Sequence, residues 1–315
     1  MSMPPYFSVV VPTYNRSGSI GPTLCSVRDQ TYGDFECLIV DDGSDDVELL
    51  ERYVAGLSDS RFRVIRQTNG GGGAARNTGI AHAKGKYVAF LDSDDLFFPQ
   101  KLQVFRDQLE AQPCDAAYSY ANVDRGVAGK RWIRPDRPIR DGESMASYLF
   151  IANQFVQTST IVMATVVARQ IMFDPSLRKG QDLDFCLRAD VAGVRFHMIE
   201  SPLITWMDIS EIGRTSRHAG AAAPQAWLEA HDHLMTREEL LGYRATVLAY
   251  YQPKYKAFQV ARDLMLGVTI AKVPAKVAVR QWLRFCLPKD VYRGVVSLAI
   301  KLRGHSSSER HGGTK

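Results

Sequence analysis

The first 112 residues alternate, four times over, between a short apolar run and a stretch with helical spacing. "FSVVVPTYN" is rich in β-branched residues and ends in Pro and turn formers, as a buried parallel strand does. "SGSIGPTLCSVRDQ" follows with Ile20, Leu24 and Val27 at helical intervals and Ser17 or Ser19 as its expected cap. "FECLIVDDGSDD" is a second strand ending in acid, and "VELLERYVAGL" is an amphipathic helix. "RFRVIRQ" is a third strand, and "GGGGAARNTGIAHAKG" opens on glycines before turning helical. "KYVAFLDSDD" and "PQKLQVFRDQLEAQP" complete the series. Such alternation predicts a parallel sheet with right-handed helical crossovers, the α/β class.

The pattern loosens after residue 114. "DAAYSYANVD" and "STIVMAT" read as strands, "DGESMASYLFIAN" and "QDLDFCLRADVAG" as helices, and "RFHMIESPLITWM" as a strand pair. From about residue 225 the chain reads as helices and basic linkers, ending in the disorder-like "HSSSERHGGTK". The expected organisation is residues 1–110 as a nucleotide-binding half, 111–224 as an acceptor-binding and catalytic half, and 225–315 as a basic helical region.

Five scattered cysteines show no metal-ligand or CxxC spacing, which fits a reduced, cytoplasmic protein. The start "MSMPPYFSVVVP" lacks the basic and apolar segments of a signal peptide, and no run of about 18 apolar residues suggests a membrane span. The net charge of +5 hides an asymmetry: residues 241–315 hold 14 Lys and Arg against 3 Asp and Glu, while the remainder is acidic.

Open parallel sheets bind ligands beyond the carboxyl ends of their strands. Three such ends are chemically marked: Pro12, Thr13, Tyr14 and Asn15; Asp41 and Asp42; and Asp92, Asp94 and Asp95. Asp and Asn favour turns, but two acidic clusters at equivalent strand ends exceed what turn preference requires. Carboxylates gathered at a sheet mouth suit a hard divalent cation, Mg²⁺ or Mn²⁺, completed by substrate phosphates. An Asp-x-Asp pair leaving a strand on one side would present both carboxylates together. Gly70, Gly72 and Ala75 also fit the dinucleotide fingerprint G-x-G-x-x-A, with Asp92 about 20 residues on. That fingerprint belongs on the first strand, which here carries "PTYN" instead.

"SVVVPTYNR", "LIVDDGSDD", "NGGGGAARNTGIAHAKGKYVAFLDSDD" and "GQDLDFCLR" occur in the order and spacing of the family 2 glycosyltransferases, and the chain resembles that family over residues 7–205. The resemblance implies a GT-A fold, a Rossmann-like, mainly parallel mixed sheet flanked by helices and here followed by a C-terminal helical extension. It implies an inverting, non-processive transferase that uses a nucleotide-sugar, with a UDP-hexose and UDP-glucose as default, and a divalent metal. Pro12, Thr13 and Tyr14 match the segment along the nucleoside, and Asp42 the aspartate that reads the base. Gly71, Arg76 and Asn77 fall in the glycine-rich donor segment. Asp92, Ser93 and Asp94 form the DxD motif, Asp92 toward ribose and Asp94 on metal. Asp182 matches the catalytic base, with Gln181 where the family pattern has Glu.

Arg178, Lys179, Arg214 and Arg217 are further candidates to meet the diphosphate or acceptor, and His218 is a candidate extra metal ligand in a closing loop. The QxxRW block of processive synthases is absent. Lys272, Lys276, Arg280 and Arg284 lie four apart, a basic stripe with Val279, Trp282, Leu283 and Cys286 near the other side. Arg293, Ser297 and Lys301 repeat the idea opposite Val295, Leu298 and Leu302. The stripe is expected to dock on an anionic membrane surface, placing the protein peripherally on the inner face of the cytoplasmic membrane with a glycan or polyprenyl-diphosphate-linked acceptor and no nucleic acid. The alternative functions are a nucleotidyltransferase, for which the first strand end offers only Arg16 as a phosphate grip, and a nucleotide- or glycan-binding pseudoenzyme, which intact Asp94 and Asp182 disfavour.

Overall fold

A computed structural model describes residues 3–126, 131–208, 220–288, 291–292 and 294–296. Arg214, Arg217, His218, Arg293, Ser297, Leu298, Lys301, Leu302 and the final "HSSSERHGGTK" lie outside the described residues. Among the described residues the chain divides into two compact units. One draws on Met1–Val123, Ile133–Met145 and Phe155–Ser216, the other on Asp124–Trp132, Ala146–Gln154 and Arg217–Lys315.

The first unit begins with the expected alternation: β1 (Phe7–Thr13), α1 (Gly21–Arg28), β2 (Phe35–Asp41), α2 (Val47–Gly56), β3 (Phe62–Arg66), α3 (Gly71–His82), β4 (Tyr87–Phe90), β5 (Leu96–Phe97) and α4 (Lys101–Ala111). It continues with β6 (Ala116–Asp124), β7 (Arg131–Arg134), β8 (Val162–Ala164), α5 (Thr165–Ile171), α6 (Gln181–Val191) and β9 (Phe196–Met207). The sheet runs β3-β2-β1-β4-β8-β6-β9-β5, with β7 paired to β6 beside this path. β1 pairs in parallel with both β2 and β4, and β2 with β3. β8 joins antiparallel to β4 and β6, and β5 antiparallel to β9. The sheet is therefore parallel from β3 to β4 and continues through antiparallel pairs at β8 and between β5 and β9.

Strand alternation divides the core. Val9 and Val11 of β1, Cys37 and Ile39 of β2 and Ala89 of β4 pack with Leu24 and Val27 of α1 and Leu102, Phe105 and Leu109 of α4. The opposite face carries Phe90, whose ring meets Phe173 and Phe185 of α6 edge-on, and Val10, on which α3 lies at Gly79. Here α3 packs so closely that a Cβ at Gly79 would fall 2.3 Å from Val10 Cγ1.

Local details depart from the sequence reading. Neither Ser17 nor Ser19 caps α1; Ile20 holds that position and Pro22 opens the helix. "RFHMIESPLITWM" is one long strand, β9, rather than a pair. On its β5 side the pairing reaches as far as Leu203, whose carbonyl accepts from Phe98 N. Asp92 to Asp95 lie beyond β4 in a turn closed by Asp95 N donating to Asp92 O, so the turn and not strand pleating sets their directions.

The second unit is helical: α7 (Ala222–His231), α8 (Arg237–Tyr243), α9 (Ala249–Tyr251), α10 (Ala257–Thr269) and α11 (Ala275–Cys286). Thr236 and Glu239 form a reciprocal capping box at α8. Its core gathers Leu241, Ala245, Val260, Leu264, Val273, Val277 and Phe285. α11 buries Val277, Gln281 and Phe285, and leaves Val279, Trp282 and Leu283 outward. The helix carries two apolar stripes, and the one continuous with Val273 faces the core. No described helix is long and apolar enough to cross a membrane.

Gly85 links α3 to β4, and a Cβ there would sit 2.6 Å from Phe7 C and Ser8 N, backbone atoms that cannot swing aside. Gly85→Ala is expected to cost about 1–3 kcal/mol, read as a lowered midpoint in chemical denaturation with an unchanged slope.

Candidate active site

Because β1 lies between β2 and β4, its carboxyl end is flanked by both acidic clusters. Thr13 pairs with Asp41 across β1 and β2, and Leu91 N donates to Val10 O. Pro12 and Thr13 are buried, while Tyr14 is half-exposed at the mouth. Asn15, at φ 51°, stitches the first two strand ends together: its N donates to Ser44 Oγ, and its Oδ1 accepts from Asp45 N.

Asp42 is buried with a fully engaged carboxylate. Oδ1 accepts from Gln67 Nε2 and Gly70 N, both at 2.8 Å, and Oδ2 from Gly71 N at 2.8 Å. Gly71 has φ 86°, a conformation that favours glycine. Asp42 thereby sets the course of the glycine-rich turn into α3. Asn77, further along that helix, bonds the Phe173 backbone with both ends of its amide.

Arg76 projects from α3 and is itself buried. One arm of its guanidinium donates to Asp92 Oδ1 and the other to Gln181 Oε1, each at 2.5 Å. Its charge lies 5.3 Å from the centre of the Phe173 ring. Gln181 opens α6 behind Gly180, which has φ 68°, and its Nε2 donates to Leu177 O. A Cβ on Gly73 would lie 3.0 Å from Asp174 O and 3.3 Å from Gln181 Nε2, so the glycine run also lets α3 approach α6.

Asp182 follows directly. The residue as a whole is partly exposed, yet burial of its carboxyl group pushes its pKa up to about 6, with Asp92 adding to the rise and Leu183 N and Arg76 opposing it. Asp184, its neighbour on α6, is fully buried in an ion pair with Arg188, which also donates to the Ile171 and Met172 carbonyls. Asp184 is thus a structural residue and Asp182 the acid turned to the site. Arg178 is exposed and Lys179 partly exposed in the segment just ahead of α6.

The three acids after β4 have separate surroundings. Asp95 is buried, accepting from Gln157 Nε2 at 2.7 Å, Ser159 Oγ at 2.6 Å and Met207 N at 3.1 Å. Burial, then Asp92 and Asp94, hold its pKa well above the usual carboxylate range. Asp92, 26% exposed, takes Arg76 on one oxygen and Gln157 Nε2 on the other, and its N donates to Ser159 Oγ. Asp94 is the most open of the three at 36%, with Arg16 Nη1 3.3 Å from Oδ2. The Ser93 carbonyl accepts from Thr23 Oγ1. An exposed carboxylate beside the crevice fits an ion that takes one or two protein ligands plus substrate phosphates. Among the described residues no group of three or more His, Cys, Asp or Glu is arranged to hold a metal ion alone.

Gln157, Ser159 and Lys101 escaped the sequence reading. Lys101 is fully buried between the Phe97 and Phe105 rings and donates to Ser159 O at 3.0 Å. Burial pushes its pKa well below the usual lysine range, with Asp95 opposing. The available signal was the polar "QTST" directly ahead of an apolar strand.

The family model for Glycosyl transferase family 2 matches residues 8–175. The chain is 38% identical over 248 residues to the amylovoran biosynthesis glycosyltransferase AmsB of Erwinia amylovora, covering 76% of this chain and 82% of AmsB. It spans about 30% of the length of the longer Rickettsia glycosyltransferases that it also matches. Among solved structures, S. aureus TarS in complex with UDP-GlcNAc superposes with TM-score 0.59 at 21% identity, covering 95% of this chain and 92% of that one. The mannosyltransferase PcManGT of Pyrobaculum calidifontis, in complex with GDP-Man and Mn²⁺, gives TM-score 0.58 at 16% identity, covering 97% and 88%. At these identities the structural likeness speaks for the GT-A fold.

Gln157→Ala removes the amide shared by Asp92 and Asp95. It is expected to lower stability by about 1–3 kcal/mol, the range for stranding a buried polar group, and to weaken any nucleotide-sugar binding detected by calorimetry. From its matching domain and its relatives, the chain belongs to the family 2 glycosyltransferases.

Proposed function

We propose that this glycosyltransferase moves one sugar per encounter, with inversion, from a nucleotide-sugar to a hydroxyl of a glycan acceptor. The observation that carries the reading is the single guanidinium of Arg76, which ties Asp92 of the DxD turn to the residue beside Asp182. Donor-side acid and candidate base are thus held in one hydrogen-bonded frame.

Asp182 is the candidate base. The acceptor hydroxyl attacks the anomeric carbon, Asp182 accepts its proton, and the nucleoside diphosphate leaves from the opposite side. A pKa raised to about 6 keeps Asp182 ionised at neutral pH yet basic enough to take the proton. Pro12, Thr13, Tyr14, Gly71 and Ser93 line the donor side, and Asp92 faces the ribose. Asp42 and Asn77 serve the donor through the chain they hold. Arg16, Arg178 and Lys179 supply positive charge for the diphosphate. Asp94 would hold a divalent cation, Mn²⁺ or Mg²⁺, which when bound neutralises charge on the leaving diphosphate.

TarS with UDP-GlcNAc and PcManGT with GDP-Man support a nucleotide-sugar donor, and a UDP-hexose, UDP-glucose by default, is the first to test. The similarity to AmsB, an amylovoran biosynthesis glycosyltransferase, supports exopolysaccharide or surface-polysaccharide assembly. That setting suits a polyprenyl-diphosphate-linked acceptor and a protein docked on the inner face of the cytoplasmic membrane through its basic C-terminal helices.

Asp182→Asn is expected to lower turnover roughly 10²–10⁴-fold with donor binding retained. Asp94→Ala should abolish the metal dependence of donor binding, followed by calorimetry with and without Mn²⁺. Wild-type turnover in both variants would overturn the assignment. Since the base works deprotonated, kcat/KM should rise with pH and level off above about 6. Below that point it should fall about tenfold per pH unit, and an acid limb near 4 would contradict a buried Asp182.

A further inference from the structure

The helical unit exposes aromatic side chains of a kind that soluble surfaces seldom leave bare. Tyr255 and Phe258, at the turn into α10, are each 85% exposed. Met265 and Arg262 continue the outward stripe of α10, spaced from Phe258 by helical intervals. The start of α10 meets the end of α11: Lys254 Nζ lies 4.7 Å from the Phe285 ring, and that ring stacks on Trp282 at 5.7 Å. Trp282, Leu283 and Val279 face outward there. Two helix ends thus bring their unburied apolar groups to one corner of the unit.

The charge around this corner has one sign. Residues 244–288 hold eight Lys and Arg and a single acid, Asp263, which is buried against Arg262. Lys254 and Lys256 bracket Tyr255 in sequence. The stripe 272–284 is only partly available as a charged face. Lys276 is exposed, but Arg284 is half-buried and stacks on the Tyr250 ring at 4.2 Å.

We infer that this corner is a monotopic membrane anchor: Tyr255 and Phe258, with Trp282 and Leu283, enter the interfacial zone of an anionic bilayer while Lys254, Lys256 and Lys276 contact its head groups. Aromatic rings settle at the head-group level of a bilayer, and each nearby Lys or Arg adds attraction to anionic lipid. This deepens the membrane-surface reading above, moving the contact from a basic stripe to an aromatic corner. It is tested by binding alone, so its failure is separable from failure of the transfer reaction.

The test is co-sedimentation of the full chain with vesicles of phosphatidylcholine, or of an equimolar phosphatidylcholine–phosphatidylglycerol mixture. Wild type should partition onto the anionic vesicles and, with added salt, lose only part of that binding. Tyr255→Ser/Phe258→Ser should cut partitioning by about tenfold or more, with an unchanged melting temperature because both residues are exposed. Lys254→Gln/Lys256→Gln should weaken it and flatten the salt dependence. Wild-type partitioning by the aromatic double variant would overturn the inference, as would failure of wild type to bind either vesicle. A dimer that dissociates in the aromatic variant, with no vesicle binding, would overturn it in favour of a self-association surface.

Discussion

One buried guanidinium holds the candidate site together. Arg76 carries a fixed fork of donors, and the fold directs one arm to Asp92 and the other to Gln181. A lysine could not bridge two planar acceptors in this way. The arrangement depends on α3 lying close to both β1 and α6, which small residues at Gly73 and Gly79 allow. It also depends on Asn77, which pins the chain ahead of α6 to the same helix. The glycine-rich segment therefore serves as a packing surface as much as a loop. With Gln at position 181 the guanidinium meets one carboxylate and one neutral amide, so its charge is less spent on ion pairing than with two acids.

The parallel half of the sheet was legible because its signals are local. Strands buried on both faces read as continuous apolar runs, and the helices between them are amphipathic. The acids at strand ends were legible because side-chain type and topology point to the same crevice. What the sequence could not convey was distribution among those acids. Asp95 looks in sequence like a third member of the cluster, yet it is buried on Gln157, Ser159 and Met207 N, partners 62, 64 and 112 residues away. Lys101 drew no attention within its helical segment, and it is enclosed by two aromatic rings. Such partnerships are set by tertiary packing and leave no periodic trace.

α11 illustrates a different limit. Its sequence holds two apolar stripes, and helical periodicity alone cannot say which is buried. The stripe of Val277, Gln281 and Phe285 packs inward even though it includes a glutamine, because Gln281 Nε2 donates to Thr246 O within the core. A satisfied polar group made the less apolar stripe the better inner face.

Asp42 carries a wider consequence. A helix that starts on glycines behind a strand ordinarily offers its first amides to a phosphate. At α3 those amides, Gly70 N and Gly71 N, are already taken by a carboxylate from the neighbouring strand end. The protein supplies its own anion where a dinucleotide-binding fold would place the pyrophosphate. Those two amides are closed to a ligand's phosphates, which places more of the task of meeting them on bound cations and on arginine or lysine side chains. Phosphate affinity in such a site can be switched on and off by what arrives with the substrate, a freedom that a rigid glycine cradle lacks.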